Sequence, residues 1–310
     1  MFNLRHTILV VLALGAVLIV PATTAQETNR SERDAIVFDS NRDGEAGIFV
    51  MDSNGANVRR VVLAPSGRMS GFPDWSPDRK KIAFASDRDG PMEIYAVNVD
   101  GTNIQRLTHS PTEIANLLPD WSPDGSKIAY AVQSPLGSSR EIHVMNVDGS
   151  NDHPVTQTML RAGFPAWSPD GTKLAFASYQ TFNIYVMNAD GSEALPITHA
   201  PPGAANVATN APAWSPDGKR IMFDTRWGGD WDIWLIDADG SNQRQLTRVG
   251  ANTARAAWSP DGKSIVFHST RDRPTGNGFT DSEIYAMDAD GSQLRRLTSN
   301  GASDGHPDWR

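Results

Sequence analysis

The stretch Phe164-Pro-Ala-Trp167-Ser-Pro-Asp-Gly171-Thr-Lys173-Leu-Ala-Phe-Ala-Ser178, continuing through Asn183-Ile-Tyr-Val-Met-Asn188-Ala-Asp190-Gly191 to Ala194-Leu-Pro-Ile-Thr198, decides the fold. It resolves into four short β-rich segments, 164–168, 173–178, 183–188 and 194–198. The first two are joined by Ser-Pro-Asp-Gly, where proline presets φ at one turn position and glycine supplies the permissive φ at another. The last two are joined through Asp190-Gly191, a hairpin signal between apolar runs. Helical periodicity is essentially absent after residue 26.

Working outward, the same frame recurs around Trp75, Trp121, Trp167, Trp214, Trp258 and Trp309, at spacings of 46, 46, 47, 44 and 51 residues. Five of these tryptophans open Trp-Ser-Pro-Asp, followed by Gly125, Gly171, Gly218 and Gly262, with Arg79 in the remaining copy. A second ladder keeps step: Asn98-Val-Asp-Gly101, Asn146-Val-Asp-Gly149, Asn188-Ala-Asp-Gly191, Asp237-Ala-Asp-Gly240 and Asp288-Ala-Asp-Gly291, with Asp52-Ser-Asn-Gly55 as the variant first copy. A four-stranded unit of this size cannot bury both faces alone, so neighbours must stack, and the radial solution is an all-β, six-bladed β-propeller of four-stranded antiparallel blades. The first copy begins at its second strand, Ala35-Ile36-Val37-Phe38-Asp39-Ser40, while His306-Pro307-Asp308-Trp309-Arg310 ends the chain on a lone first strand. The expectation is that this last segment fills the inner position of the first blade and closes the ring.

Residues 1–25 read as a separate unit. Arg5 and His6 precede the apolar run Ile8–Val20, and Pro21 leads into Ala22, Thr23, Thr24 and Ala25. The run is short of the ~20 residues a bilayer crossing needs, so it reads as a secretory signal peptide cut after Ala25, not a lasting anchor. A short linker, 26–34, then precedes the propeller at 35–310. The expected destination is a bacterial periplasm or the medium, where a chain with no cysteine has no thiols to mispair.

Composition narrows the chemistry. Lys and Arg number 28 against 36 Asp and Glu, a net charge of −8, the wrong sign for wrapping nucleic acid. Without cysteine there is no disulfide, thiolate metal site or thiol nucleophile. There is no Gly-x-Ser-x-Gly elbow and no phosphate-binding glycine loop.

The frame Pro-x-Trp-Ser-Pro-Asp-Gly-x-Lys-Ile-Ala-Phe, then Glu-Ile-Tyr-x-Met-Asn-x-Asp-Gly, then Leu-Thr, resembles the repeat of TolB-type β-propellers over residues 35–310. The resemblance implies a periplasmic, partner-binding propeller, with an envelope protein or peptide as partner and a Pal-like lipoprotein among the candidates. Propellers of this kind also serve as accessory domains of peptidases and as carbohydrate-active lyases, so a lyase or hydrolase acting at the central channel, and an accessory propeller for a separately encoded peptidase, stay open. The TolB pattern includes an α/β domain ahead of the propeller; here about nine residues separate the expected cleavage point from the first strand.

Strand order assigns the faces. The tight repeated turns, with Asp124, Asp170, Asp190, Asp217, Asp239, Asp261 and Asp290, share one rim; the variable loops 133–140, 199–210, 225–232 and 270–282 share the other, where recognition usually resides. Trp227, Asp230 and Trp231 in the third of these loops are candidate binding residues for a partner or a sugar ring. The residue before the repeat tryptophan is Asp74, Asp120 or Asp308 in three consecutive blades and Ala166, Ala213 or Ala257 in the others. These acids, with His306, are candidate channel residues, either attracting a cation or basic peptide or hydrogen-bonding neighbouring backbone. No residue is assigned a catalytic or metal role and no cofactor is expected. Asp-x-Asp-Gly also allows a Ca2+ reading, with Asp39–Gly44 and Asp87–Gly90 the stronger loops, although turn chemistry explains the same letters. The reading is a monomeric, noncatalytic binding module of the cell envelope.

Overall fold

The computed structural model describes residues 34–135, 140–204, 207–248, 252–272 and 281–310. The proposed signal peptide and most of the linker lie outside the described residues, as do parts of the loops 133–140, 199–210 and 270–282. Six four-stranded antiparallel sheets form the blades. Their innermost strands are Asp304–Trp309, Ser70–Trp75, Ala115–Trp121, Ala162–Trp167, Thr209–Trp214 and Thr253–Trp258, for blades 1 to 6 in turn. The ring closes inside blade 1, where Ile36 pairs with Trp309, Val37 with Asp308 and Ser40 with Asp304. A short 3-10 turn, Thr158–Leu160, stands among the strands and loops.

Each repeat tryptophan is a wedge between blades. Trp75 is fully buried, packed with Val37 and Val50 of blade 1 and with Ile82 and Phe84 of blade 2. A ring of that size shared between two sheets makes each blade the neighbour's missing core, which is why one blade does not stand alone.

Turn chemistry explains the repeated acids. Ser122 donates its hydroxyl to Asp124 at 2.6 Å and the Ser126 amide donates to the same oxygen at 3.0 Å, a pattern shared by Asp170, Asp217 and Asp261. Those donors, the Ser122 hydroxyl foremost, hold the Asp124 carboxyl down to about 2. Asp100, Asp148, Asp190, Asp239 and Asp290 likewise accept the amide two residues on. The hairpin glycines also let blades approach: a Cβ on Gly149, at φ +85°, would lie 2.5 Å from the Leu107 carbonyl oxygen of the preceding blade.

One backbone device positions the channel. In every innermost strand the third residue before the tryptophan takes a positive φ: Phe72 55°, Leu118 58°, Phe164 56°, Ala211 46°, Arg255 57° and His306 46°. The pairing with the second strand slips there, as between Gly71 and Asp74. These bulges re-aim one side chain per blade toward the axis, and all six line a single axial cavity.

Candidate functional site

The axial channel carries polar side chains in two layers. In the layer next to the tight-turn rim, Asp308 accepts the Trp75 amide at 3.0 Å, Asp74 the Trp121 amide at 2.7 Å and Asp120 the Trp167 amide at 2.7 Å. Each carboxylate therefore fastens its own blade to the next. Burial pushes the Asp120 carboxyl up to about 7 and raises Asp74 well above the usual range, where the charges of Asp308 and Asp120 add to the effect. Arg310 closes on this layer, its Nη2 4.0 Å from Asp74 and its Nε 3.9 Å from Asp308. The cavity at this mouth is about 490 Å³ and is lined by Asp120, Asp308, Arg310 and the repeat Trp-Ser-Pro corners.

The layer nearer the variable rim is built from the second strands. Asp39 accepts the Phe72 amide at 2.9 Å, Asp224 the Arg255 amide at 2.7 Å, and His268 Nδ1 the His306 amide at 3.3 Å. His306 Nδ1 meets Asp39 Oδ2 at 2.8 Å. Burial pushes Asp224 up to about 7 and, with the charges of His306 and Arg255 against it, holds His268 well below its ordinary range and therefore neutral. Alanine stands at the equivalent places in blades 2, 3 and 4: Ala85, Ala131 and Ala177.

Together the two layers staple every blade boundary except the one between blades 4 and 5, where Ala166 and Ala177 have no polar side-chain atom to offer. Trp214, the wedge at that boundary, is the one repeat tryptophan that is only half-buried.

The predicted site residues separate into two groups. Asp74, Asp120, Asp308 and His306 all line the axial cavity near the channel centre. Trp227, Asp230 and Trp231 line neither axial cavity. Trp227 stands edge-on to Phe223, centroids 5.6 Å apart, and to Trp234 at 5.1 Å. It occupies the place held in other blades by Arg42, Arg88 and Arg271, each with its guanidinium about 5 Å from the centroid of the corresponding phenylalanine. Trp227 is thus inside the repeat frame, four residues after Phe223, as well as in the variable loop 225–232 where the sequence placed it. Trp231 is half-buried, its carbonyl accepting the Thr253 amide at 2.8 Å, and Asp230 is exposed.

The acids of the two calcium-like loops have partners in the protein: Asp43 pairs with Arg60 at 2.6 Å, Asp87 accepts the Met69 amide at 2.6 Å, and Asp89 accepts the Tyr95 hydroxyl at 2.9 Å. Among the described residues no three His, Asp or Glu side chains converge as metal ligands.

The sequence reading missed Arg255, Asp39, Asp224 and His268 as channel residues. Two positional signals would have found them: the third residue before each repeat tryptophan, and the penultimate residue of each second strand.

A family model described as the TolB beta propeller domain matches residues 30–163 and 202–310. Among solved structures, one described as a TolB of Agrobacterium tumefaciens is 23% identical with a TM-score of 0.65, over 86% of this chain and 88% of that one. TolB from Acinetobacter baumannii is 21% identical with a TM-score of 0.72, over 89% of this chain and 66% of that one. An oligogalacturonate lyase in complex with manganese is 20% identical with a TM-score of 0.53, over 85% of this chain and 73% of that one. These likenesses are of fold. No curated protein matches the chain.

Proposed function

The chain belongs to the TolB beta-propeller domain family, and from that premise we propose that it is a noncatalytic binding module of the bacterial cell envelope, periplasmic or secreted. Its partner is an envelope protein or peptide, a Pal-like lipoprotein among the candidates, recognised through the variable loop rim and the channel mouth beside it. The observation that carries this reading is the contrast between the rims. On one, the repeated turn acids are occupied by their own hydroxyl and amide donors. On the other, loops of unequal length stand on a ring whose innermost strands are fixed by backbone bulges and inter-blade bonds, the arrangement in which a rigid scaffold presents recognition loops.

The test is affinity capture from the native envelope extract with three matched baits: the wild-type chain, Asp230→Lys/Trp231→Ala on the variable rim, and Lys80→Glu/Lys263→Glu on the tight-turn rim. One protein retained by the first and third baits and absent from the second supports the reading. Equal retention by all three, or turnover of an acidic polysaccharide by the folded chain, overturns it.

A further inference from the structure

We propose that the variable-rim end of the axial channel is a carboxylate-binding site built on Arg255, which takes an acidic side chain or the C-terminal carboxylate of a peptide. The proposal rests on the binding-module reading and names what that module's channel accepts.

Arg255 sits on the bulge of the innermost strand of blade 6, and its guanidinium carbon lies 4.0 Å from the centroid of the Phe164 ring, two blades away. The side chain therefore reaches across the channel. Stacking on an aromatic ring uses the face of the guanidinium and leaves its N–H edges in the plane. Arg255 makes no side-chain hydrogen bond or ion pair among the described residues. The carboxylates of this layer, Asp224 and Asp39, attract the guanidinium through space without a hydrogen bond to it: Asp224 accepts the backbone amide of Arg255 itself, and Asp39 accepts the Phe72 amide and meets His306. Guanidinium stays charged at any physiological pH, and half-buried Arg255 lines the axial cavity with no side-chain hydrogen bond to the protein. The group that answers a flat fork of donors is a carboxylate binding in plane through both oxygens.

The surroundings set the class of ligand. Arg140, 4.3 Å from the Tyr179 ring centroid, adds a second cation, and Tyr179 in turn lies 6.2 Å from Phe164. Phe72, Leu118 and Ala211 give the cavity of about 150 Å³ apolar walls, which suit a carboxylate on a short carbon stem. Asp74, Asp120 and Asp308 line the same cavity at the end toward the tight-turn rim, so an anion is held at the Arg255 end and does not pass through.

The experiment follows the arginine Nε–H signals of the 15N-labelled protein by NMR during titration with four peptides: acetyl-Gly-Glu-Gly-amide, its Gln counterpart, Gly-Gly-Phe, and Gly-Gly-Phe-amide. The expected result is a saturable shift of the Arg255 signal with a dissociation constant of about 1 mM or tighter for a carboxylate probe. At least tenfold weaker binding is expected for its amide counterpart and for Arg255→Gln. Whether the Glu peptide or the free C-terminus is preferred identifies the source. Arg255→Lys keeps the charge without the fork and is expected to bind at an intermediate level; it serves as the test variant if Arg255→Gln does not fold. Equal binding of acids and amides, unchanged binding by the folded variants, or no shift at all overturns the site. Partner capture that persists in that case and still depends on the variable rim leaves the binding-module reading standing.

Discussion

Arg42 Nη2 lies 2.7 Å from Oδ2 of the fully buried Asp304, while the Ser40 hydroxyl donates to Oδ1 at 2.5 Å, joining residues more than 260 positions apart within blade 1. This ion pair locks the seam at which the two ends of the propeller sequence meet. Removing one partner of a buried pair strands the other, so Asp304→Ala is expected to cost about 3–5 kcal/mol, and Asp304→Asn less because it keeps the acceptor. Urea unfolding curves of the two variants check this; a loss under about 1 kcal/mol for Asp304→Ala would show that the ladder alone closes the ring.

The inter-blade staples make a local prediction. Asp120→Ala leaves the Trp167 amide without its acceptor and is expected to cost about 1–3 kcal/mol. By the same logic the Trp75, Trp121 and Trp167 amides should exchange with solvent more slowly than those of Trp214 and Trp258, whose preceding blades offer alanine. Hydrogen exchange read by NMR tests the ranking, and equal protection of all five would contradict it.

Stability should also fall as the medium becomes neutral. Asp120 and Asp224 titrate near 7 in the fold because burial disfavours their charged forms. Unfolded aspartate titrates at about 3.9. Between these values the folded chain holds protons that the unfolded chain has lost, so the contribution is fully present below about pH 4 and is lost as pH rises through about 7. Asp124, held at about 2, acts in the opposite direction and only in stronger acid. The double variant Asp120→Asn/Asp224→Asn should flatten the dependence between pH 4 and 7, measured as urea midpoints. An unchanged slope would assign it to other groups.

Trp227 caps the Phe223 and Trp234 rings where three other blades use arginine. Trp227→Ala is expected to cost about 1.5–3 kcal/mol of burial, and Trp227→Arg to recover much of it. Thermal unfolding distinguishes the two; a harmless Trp227→Ala would show that the ring is not needed to cap Phe223 and Trp234.

The fold was legible because its information is repeated. Turn residues, wedge tryptophans and strand alternation recur in register, and the lone strand at His306–Arg310 has one vacant place to fill, beside Ile36 and Val37. The channel was half legible. The division of the ring into Asp308, Asp74 and Asp120 in three consecutive blades and Ala166, Ala213 and Ala257 in the others is visible in the letters, and the structure makes those acids inter-blade acceptors. Arg255 and His306 were harder to place together, because a one-residue bulge turns both toward the axis, and a strict two-residue period does not contain that step. The place of Trp227 in the repeat was missed for a different reason. Aromatic and guanidinium groups cover a phenylalanine ring equally well, so a frame defined by identical residues did not include it.

The measurement that bears most directly on the account is the capture experiment with variants on opposite rims. The expected result is a single envelope partner held by the wild-type chain and by Lys80→Glu/Lys263→Glu, and lost from Asp230→Lys/Trp231→Ala. Retention that is indifferent to the variable rim, or lost only from the tight-turn rim, would contradict a recognition face on those loops.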